Sequence, residues 1–100
     1  MLIGPRVFSS GIFAVSEMRR YTEAVLAGEP TGQGANHYGM TASFMLPNSG
    51  LVVQHSTRYW RLDENDTGNA ILPDVPLPRD ASAMLAGKDP VVEAAIRLER

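Results

Sequence analysis

Ser9 and Ser10 stand between a short apolar segment, Met1–Phe8, and a stretch whose apolar residues recur at helical spacing. A serine at the start of a helix lies beside unpaired backbone N–H groups and the positive end of the helix dipole. That placement suits an attacking hydroxyl, because the N–H of the next residue can stabilise a developing oxyanion. It suits an N-cap equally well, and capping is the commoner use. A nucleophile also needs a base, and the chain offers few. Its nine basic residues include one lysine, Lys88, and it has two histidines, His37 and His55. Lys88 lies in Gly87-Lys88-Asp89-Pro90, where a neighbouring carboxylate keeps a lysine charged and solvated. His37 falls in a glycine-rich stretch. Neutral imidazole suits a general base near pH 7, but ordering the loop is the expected role. His55 alternates with Val53 along a predicted strand and is expected to be satisfied within a sheet. His37, His55, Asp63 and Glu64 lack a recognisable metal-ligand spacing, so neither metal nor cofactor is expected.

The elements that must position these residues follow from periodicity. Ile12, Phe13, Val15, Met18 and Tyr21 predict a helix over residues 10–23. Ala24 to Gly28 predicts a buried strand. Gly28 to Asn36 holds three glycines and a proline, and predicts a loop that approaches a ligand or another backbone closely. Strands over 42–47 and 51–60 flank Pro47-Asn48-Ser49-Gly50, in which Asn and Gly can supply the positive φ of a hairpin turn. Ile71–Pro78 carries three prolines and is expected to be extended without pairing centrally. Short helices are expected over 81–86 and 90–98, the first stopped by Gly87, the second capped by Asp89 with Pro90 at its first position. Strand–helix–strand at the front predicts a βαβ crossover of an α/β sheet. Tyr59 and Trp60 are expected to pack. Glu29 is expected to be a solvated loop carboxylate, with a peptide amine as its alternative partner. Asn65-Asp66-Thr67 is a glycosylation triplet, of consequence only in a secreted eukaryotic protein.

Composition narrows the classes. One hundred residues allow one small domain, and 44% hydrophobic with 20% charged residues is a globular balance. A net charge of −2 without a basic run argues against nucleic-acid binding. The absence of cysteine excludes disulfides, zinc–thiolate sites and a cysteine nucleophile. No apolar run approaches the ~20 residues of a membrane span, and Met1–Arg6 does not read as a signal peptide.

Val7-Phe8-Ser9-Ser10, the predicted helix behind it, and Ala27-Gly28-Glu29-Pro30-Thr31-Gly32-Gln33-Gly34 resemble a known pair of segments. These are the nucleophile segment and following glycine-rich loop of tail-specific (C-terminal processing) serine peptidases. The resemblance is closer to the branch with tricorn-core and interphotoreceptor-retinoid-binding-type domains. Asn36-His37-Tyr38-Gly39, Leu46-Pro47-Asn48-Ser49-Gly50, Ser56-Thr57-Arg58-Tyr59-Trp60 and Pro73-Asp74-Val75-Pro76 extend it in order, to Gly87-Lys88-Asp89-Pro90. The resemblance implies the C-terminal part, over residues 1–100, of a Clp-protease/crotonase-like α/β domain: strand-helix-strand, a hairpin and two short helices.

It also implies site roles. The family's nucleophile is the third residue of Thr-x-Ser, which is Ser9 here, with Val7 replacing the threonine. Ser10 would contribute an oxyanion N–H. The lysine of Ser–Lys members falls on Gln33, whose amide takes no proton at pH 7. Tricorn-like relatives use a histidine from an earlier part of the domain. The implied function is a serine-type peptidase segment, cleaving peptide bonds through an acyl-enzyme, without its base in this chain. The alternative is a non-catalytic ligand- or peptide-binding module of the same fold. Implied partners are a peptide or protein substrate, and either a second copy or the preceding part of the domain.

Overall fold

The computed structural model describes residues 1–98. In chain order the elements are β1 (Leu2–Ile3), α1 (Ser10–Tyr21), β2 (Ala27–Gly28), β3 (His37–Met45), β4 (Val52–Trp60), β5 (Val75–Pro76), α2 (Ala81–Leu85) and α3 (Pro90–Leu98). The protein is mixed α/β, with one parallel sheet ordered β1-β2-β5 and one antiparallel hairpin, β3-β4.

Two parallel neighbours need a crossover, and α1 supplies it between β1 and β2, as the apolar spacing requires. Ile12 and Val15 form the buried stripe of α1. Val15 packs with Ile3 and Leu26, and Val7 and Ile71 close around them. The helix stops at Tyr21, two residues short of the expected end. The Thr22 hydroxyl donates to the Met18 carbonyl at 2.7 Å, and the Thr22 backbone is extended.

The strand expected over 24–28 shrinks to Ala27–Gly28. Its first residues bond elsewhere: the Ala24 N–H donates to the Thr22 hydroxyl, and the Leu26 N–H donates to the Asp74 carboxylate at 2.8 Å. Asp74 also accepts from Arg19 of α1 at 2.8 Å. One carboxylate thus ties helix, β2 and the approach to β5. The Leu26 N–H, then the Arg19 guanidinium, hold its carboxyl below the usual range. The proline-rich stretch around β5 takes the sheet edge, where a missing N–H is tolerated.

The hairpin forms as expected but starts earlier, at His37 rather than Ala42. The Asn36 side chain clamps its base. Its Oδ1 accepts the Leu62 and Asp63 N–H groups, and its Nδ2 donates to the Asp63 carbonyl at 2.7 Å. Gly50, at φ 71°, supplies the positive φ of the turn. Asp80 caps α2 through the Ser82 and Ala83 N–H groups. Asp89 caps α3 through Val91 and Val92, both at 3.1 Å. Gly87, at φ 75°, ends the α2 segment.

The accessible surface is 7480 Å². A folded monomer of 10.9 kDa exposes about 5,600 Å². The radius of gyration is 17.4 Å, against about 13 Å for a compact domain of this length. Both measures reflect the hairpin arm and α2–α3, which bury no residue fully. No helix among the described residues is long and apolar enough to cross a membrane.

Candidate active site

Ser9 occupies the N-cap position of α1 but does not behave as a cap. Its φ is 51° and ψ −122°, and its side chain makes no capping hydrogen bond. Capping serines use extended backbone, which aims the hydroxyl at the first-turn N–H groups. Ser9 instead adopts the first central conformation of a type II′ turn, a region that favours glycine. The turn Phe8-Ser9-Ser10-Gly11 closes with the Gly11 N–H on the Phe8 carbonyl at 3.0 Å. The hydroxyls of Ser9 and Ser10 are exposed. The Ser10 N–H has no backbone acceptor among the described residues.

Gln33 imposes this geometry. Its Oε1 accepts the Ser9 N–H at 2.7 Å, across 24 residues of chain. Thr31, 4% exposed, fixes Gln33 in turn. Its hydroxyl donates to the Gln33 carbonyl at 2.7 Å and accepts the Ile71 N–H at 2.8 Å. The Gly32 N–H donates to the Val7 carbonyl at 3.0 Å, joining the loop to the serine segment directly. Gly32 has to be glycine, because a Cβ there would lie 2.2 Å from the Pro5 carbonyl oxygen. Gly34 is equally confined, 2.5 Å from the Asn69 carbonyl oxygen. The loop therefore does approach backbone closely, as its glycines suggest.

Ser9, Ser10 and Gln33 are thus brought together. The remaining candidates lie elsewhere. His37 is buried, with Nδ1 3.0 Å from the Ala35 carbonyl oxygen, and Phe13 packs edge-on against its ring. It orders the loop, the role expected of it. His55 is exposed on the hairpin, with Nδ1 3.2 Å from the Ser56 carbonyl oxygen. Lys88 lies exposed in the turn between α2 and α3. Glu29 is not a free loop carboxylate, because it pairs with Arg79. Trp60 packs on Phe13 at 5.1 Å between centroids, with the Arg58 guanidinium 4.1 Å above its ring. No group of three or more metal-ligating side chains occurs among the described residues.

Thr31 and Asn36 were not singled out by sequence reasoning, although both are structural keys to the loop. The signal for Thr31 is its place in Gly-Glu-Pro-Thr, a polar β-branched residue after a proline. For Asn36 there was no local signal, because its partners lie in residues 62 and 63. No family model matches the chain, and no curated protein matches it.

Proposed function

We propose that this chain is the nucleophile-bearing segment of a serine-type peptidase of the tail-specific kind, built on a Clp-protease/crotonase-like α/β domain. The observation that carries this reading is Ser9: a strained, exposed serine at a helix entrance, with its hydroxyl uncommitted. Backbone strain of this kind costs about 1–3 kcal/mol and persists where surrounding structure enforces it. It is also the construction of a nucleophile elbow, a serine on a sharp turn into a helix with the following N–H as oxyanion donor. Ser9 Oγ attacks the peptide carbonyl carbon, and its proton passes to a base and then to the leaving amine. The acyl-enzyme is hydrolysed by water. The Ser10 N–H faces the oxyanion, and Gln33 holds the turn in place through the Ser9 N–H.

The base is supplied from outside residues 1–98. None of Lys88, His37 and His55 is bonded to Ser9, and Gln33 accepts no proton at neutral pH. Removing a general base lowers rates by ~10²–10⁴, and one oxyanion donor is worth a further ~10²–10³. The chain alone is therefore expected to hydrolyse peptides at background rate.

A second reading, a non-catalytic peptide-binding module, is favoured by the same Gln33, because its amide occupies the position from which a lysine would activate Ser9. Fluorophosphonate labelling read by intact mass separates the two. On the peptidase reading the chain, supplied with the base-bearing part of the domain, labels at Ser9, and Ser9→Ala abolishes the labelling. Absence of Ser9-dependent labelling in that complete domain overturns the peptidase reading.

A further inference from the structure

Strand pairing puts side chains of opposed residues on one face of the hairpin. His37/Trp60, Gly39/Arg58, Thr41/Ser56, Ser43/Gln54 and Met45/Val52 share the first face. Its base is covered by Phe13, and its middle is polar. The opposite face carries Tyr38/Tyr59, Ala42/His55 and Phe44/Val53, with Met40 between them. No described residue covers it: Tyr38 is 68% exposed, Met40 60%, Phe44 50% and Tyr59 49%.

We propose that this aromatic face of β3–β4 is a self-association surface, occupied by the same face of a second copy of the chain about a two-fold axis near Ala42 and His55. Three observations support a second copy over other occupants. First, the face carries no Asp, Glu, Lys or Arg, and His55 is its one imidazole; the only Arg or Lys of either strand, Arg58, lies on the other face. An isologous contact sets each group near its own copy, and a face without carboxylates, ammonium or guanidinium groups is self-complementary where a strongly charged one repels itself. Second, the chain's surface excess over a compact monomer is about 1,900 Å², shared between the hairpin arm and α2–α3, and a standard interface takes ~800 Å² per partner. Third, a two-stranded hairpin is marginal by itself, yet nine-residue strands extend from the body with only their base packed on Phe13. Face-to-face packing at ~10 Å supplies the missing layer. Tyr, Phe and Met are also the side chains enriched at interface centres.

Met40 fits the same picture. It holds φ 50° within the strand, and the Thr57 hydroxyl bonds its carbonyl at 2.6 Å. A bulky side chain at positive φ is a strained arrangement, and it falls on the face assigned to the partner. This inference does not depend on the peptidase reading, and its failure leaves that reading intact.

The test is sedimentation equilibrium and light scattering on the 100-residue chain at 1–100 μM. The expected species is twice the 10.9 kDa chain mass. Phe44→Glu is expected to weaken the dimer about 30-fold or more, the loss typical of a central interface anchor. Phe44 lies outside the core, and circular dichroism checks that the variant stays folded. Ser43→Glu, on the opposite face, is expected to leave the dimer unchanged. The chain has no cysteine, so Ala42→Cys provides a unique site. A short bis-maleimide is expected to join two Ala42→Cys chains and to leave Ser43→Cys chains single. A monomer throughout this range overturns the proposal. So does a dimer that Phe44→Glu leaves intact, or one that Ile96→Glu in α3 dissociates in its place.

Discussion

Replacing Ser9 tests the strained turn directly. If its hydroxyl capped α1, Ser9→Ala would cost about 1 kcal/mol. The hydroxyl makes no such bond, and alanine meets the same steric limit at φ 51° as serine does. Ser9→Ala is therefore expected to change stability by less than about 0.5 kcal/mol. Ser9→Gly differs. It relieves about 1–3 kcal/mol of strain and adds about 0.5–1 kcal/mol of unfolded-state entropy. The net expectation is a gain of roughly 0.5–2 kcal/mol. With a urea slope near 1.5 kcal/mol/M, the midpoint rises by about 0.3–1.3 M. Equilibrium urea unfolding followed by Trp60 fluorescence and circular dichroism reads both variants. A loss of 1 kcal/mol or more in Ser9→Ala, or any loss in Ser9→Gly, refutes the argument, because the serine would then be a stabilising cap.

Thr31→Val is expected to destabilise by about 1–3 kcal/mol, because two partly buried backbone groups lose their partner. Thr31→Ser is expected to keep the hydroxyl and lose about 1 kcal/mol of methyl burial. Hydrogen exchange at the Ile71 amide separates the two, fast in the valine variant and protected in the serine variant. Gly32→Ala forces a Cβ against the Pro5 carbonyl oxygen and is expected to cost about 2 kcal/mol or more. Gly4→Ala, with nothing within 4 Å of its Cβ, is expected to be neutral in the same thermal melt. Asp74 has a lowered carboxyl pKa in the fold, so its stabilising contribution is present above its unfolded pKa. It is lost as pH falls through the folded value. A titration of unfolding between pH 7 and 2 is expected to show a shallower acid limb in Asp74→Asn.

Local sequence signals determined the elements whose causes are local. The 3.6-residue spacing from Ile12 to Tyr21 set α1, and the Pro47-Asn48-Ser49-Gly50 turn followed by the β-formers Val52, Val53, Thr57, Tyr59 and Trp60 set the hairpin. Asp89-Pro90 set the start of α3. The three glycines and a proline of residues 28–36 likewise marked a tightly confined loop, and Gly32 and Gly34 are confined as that reading requires. Tertiary structure alone decided what spans many residues. Asp74 shortens the second strand by taking the Leu26 N–H from 48 positions away. Asn36 starts the hairpin five residues early through partners at 62 and 63. Ser9, Ser10 and Gln33 could be named from a resemblance, but not the atoms that join them. A serine before a helix has one local preference, an extended cap. The Gln33 side-chain Oε1 overrides it by holding the Ser9 N–H in a positive-φ turn. Hydrogen bonds between distant residues have no sequence period, which is why the strain at the candidate nucleophile became visible only once the loop had folded against it.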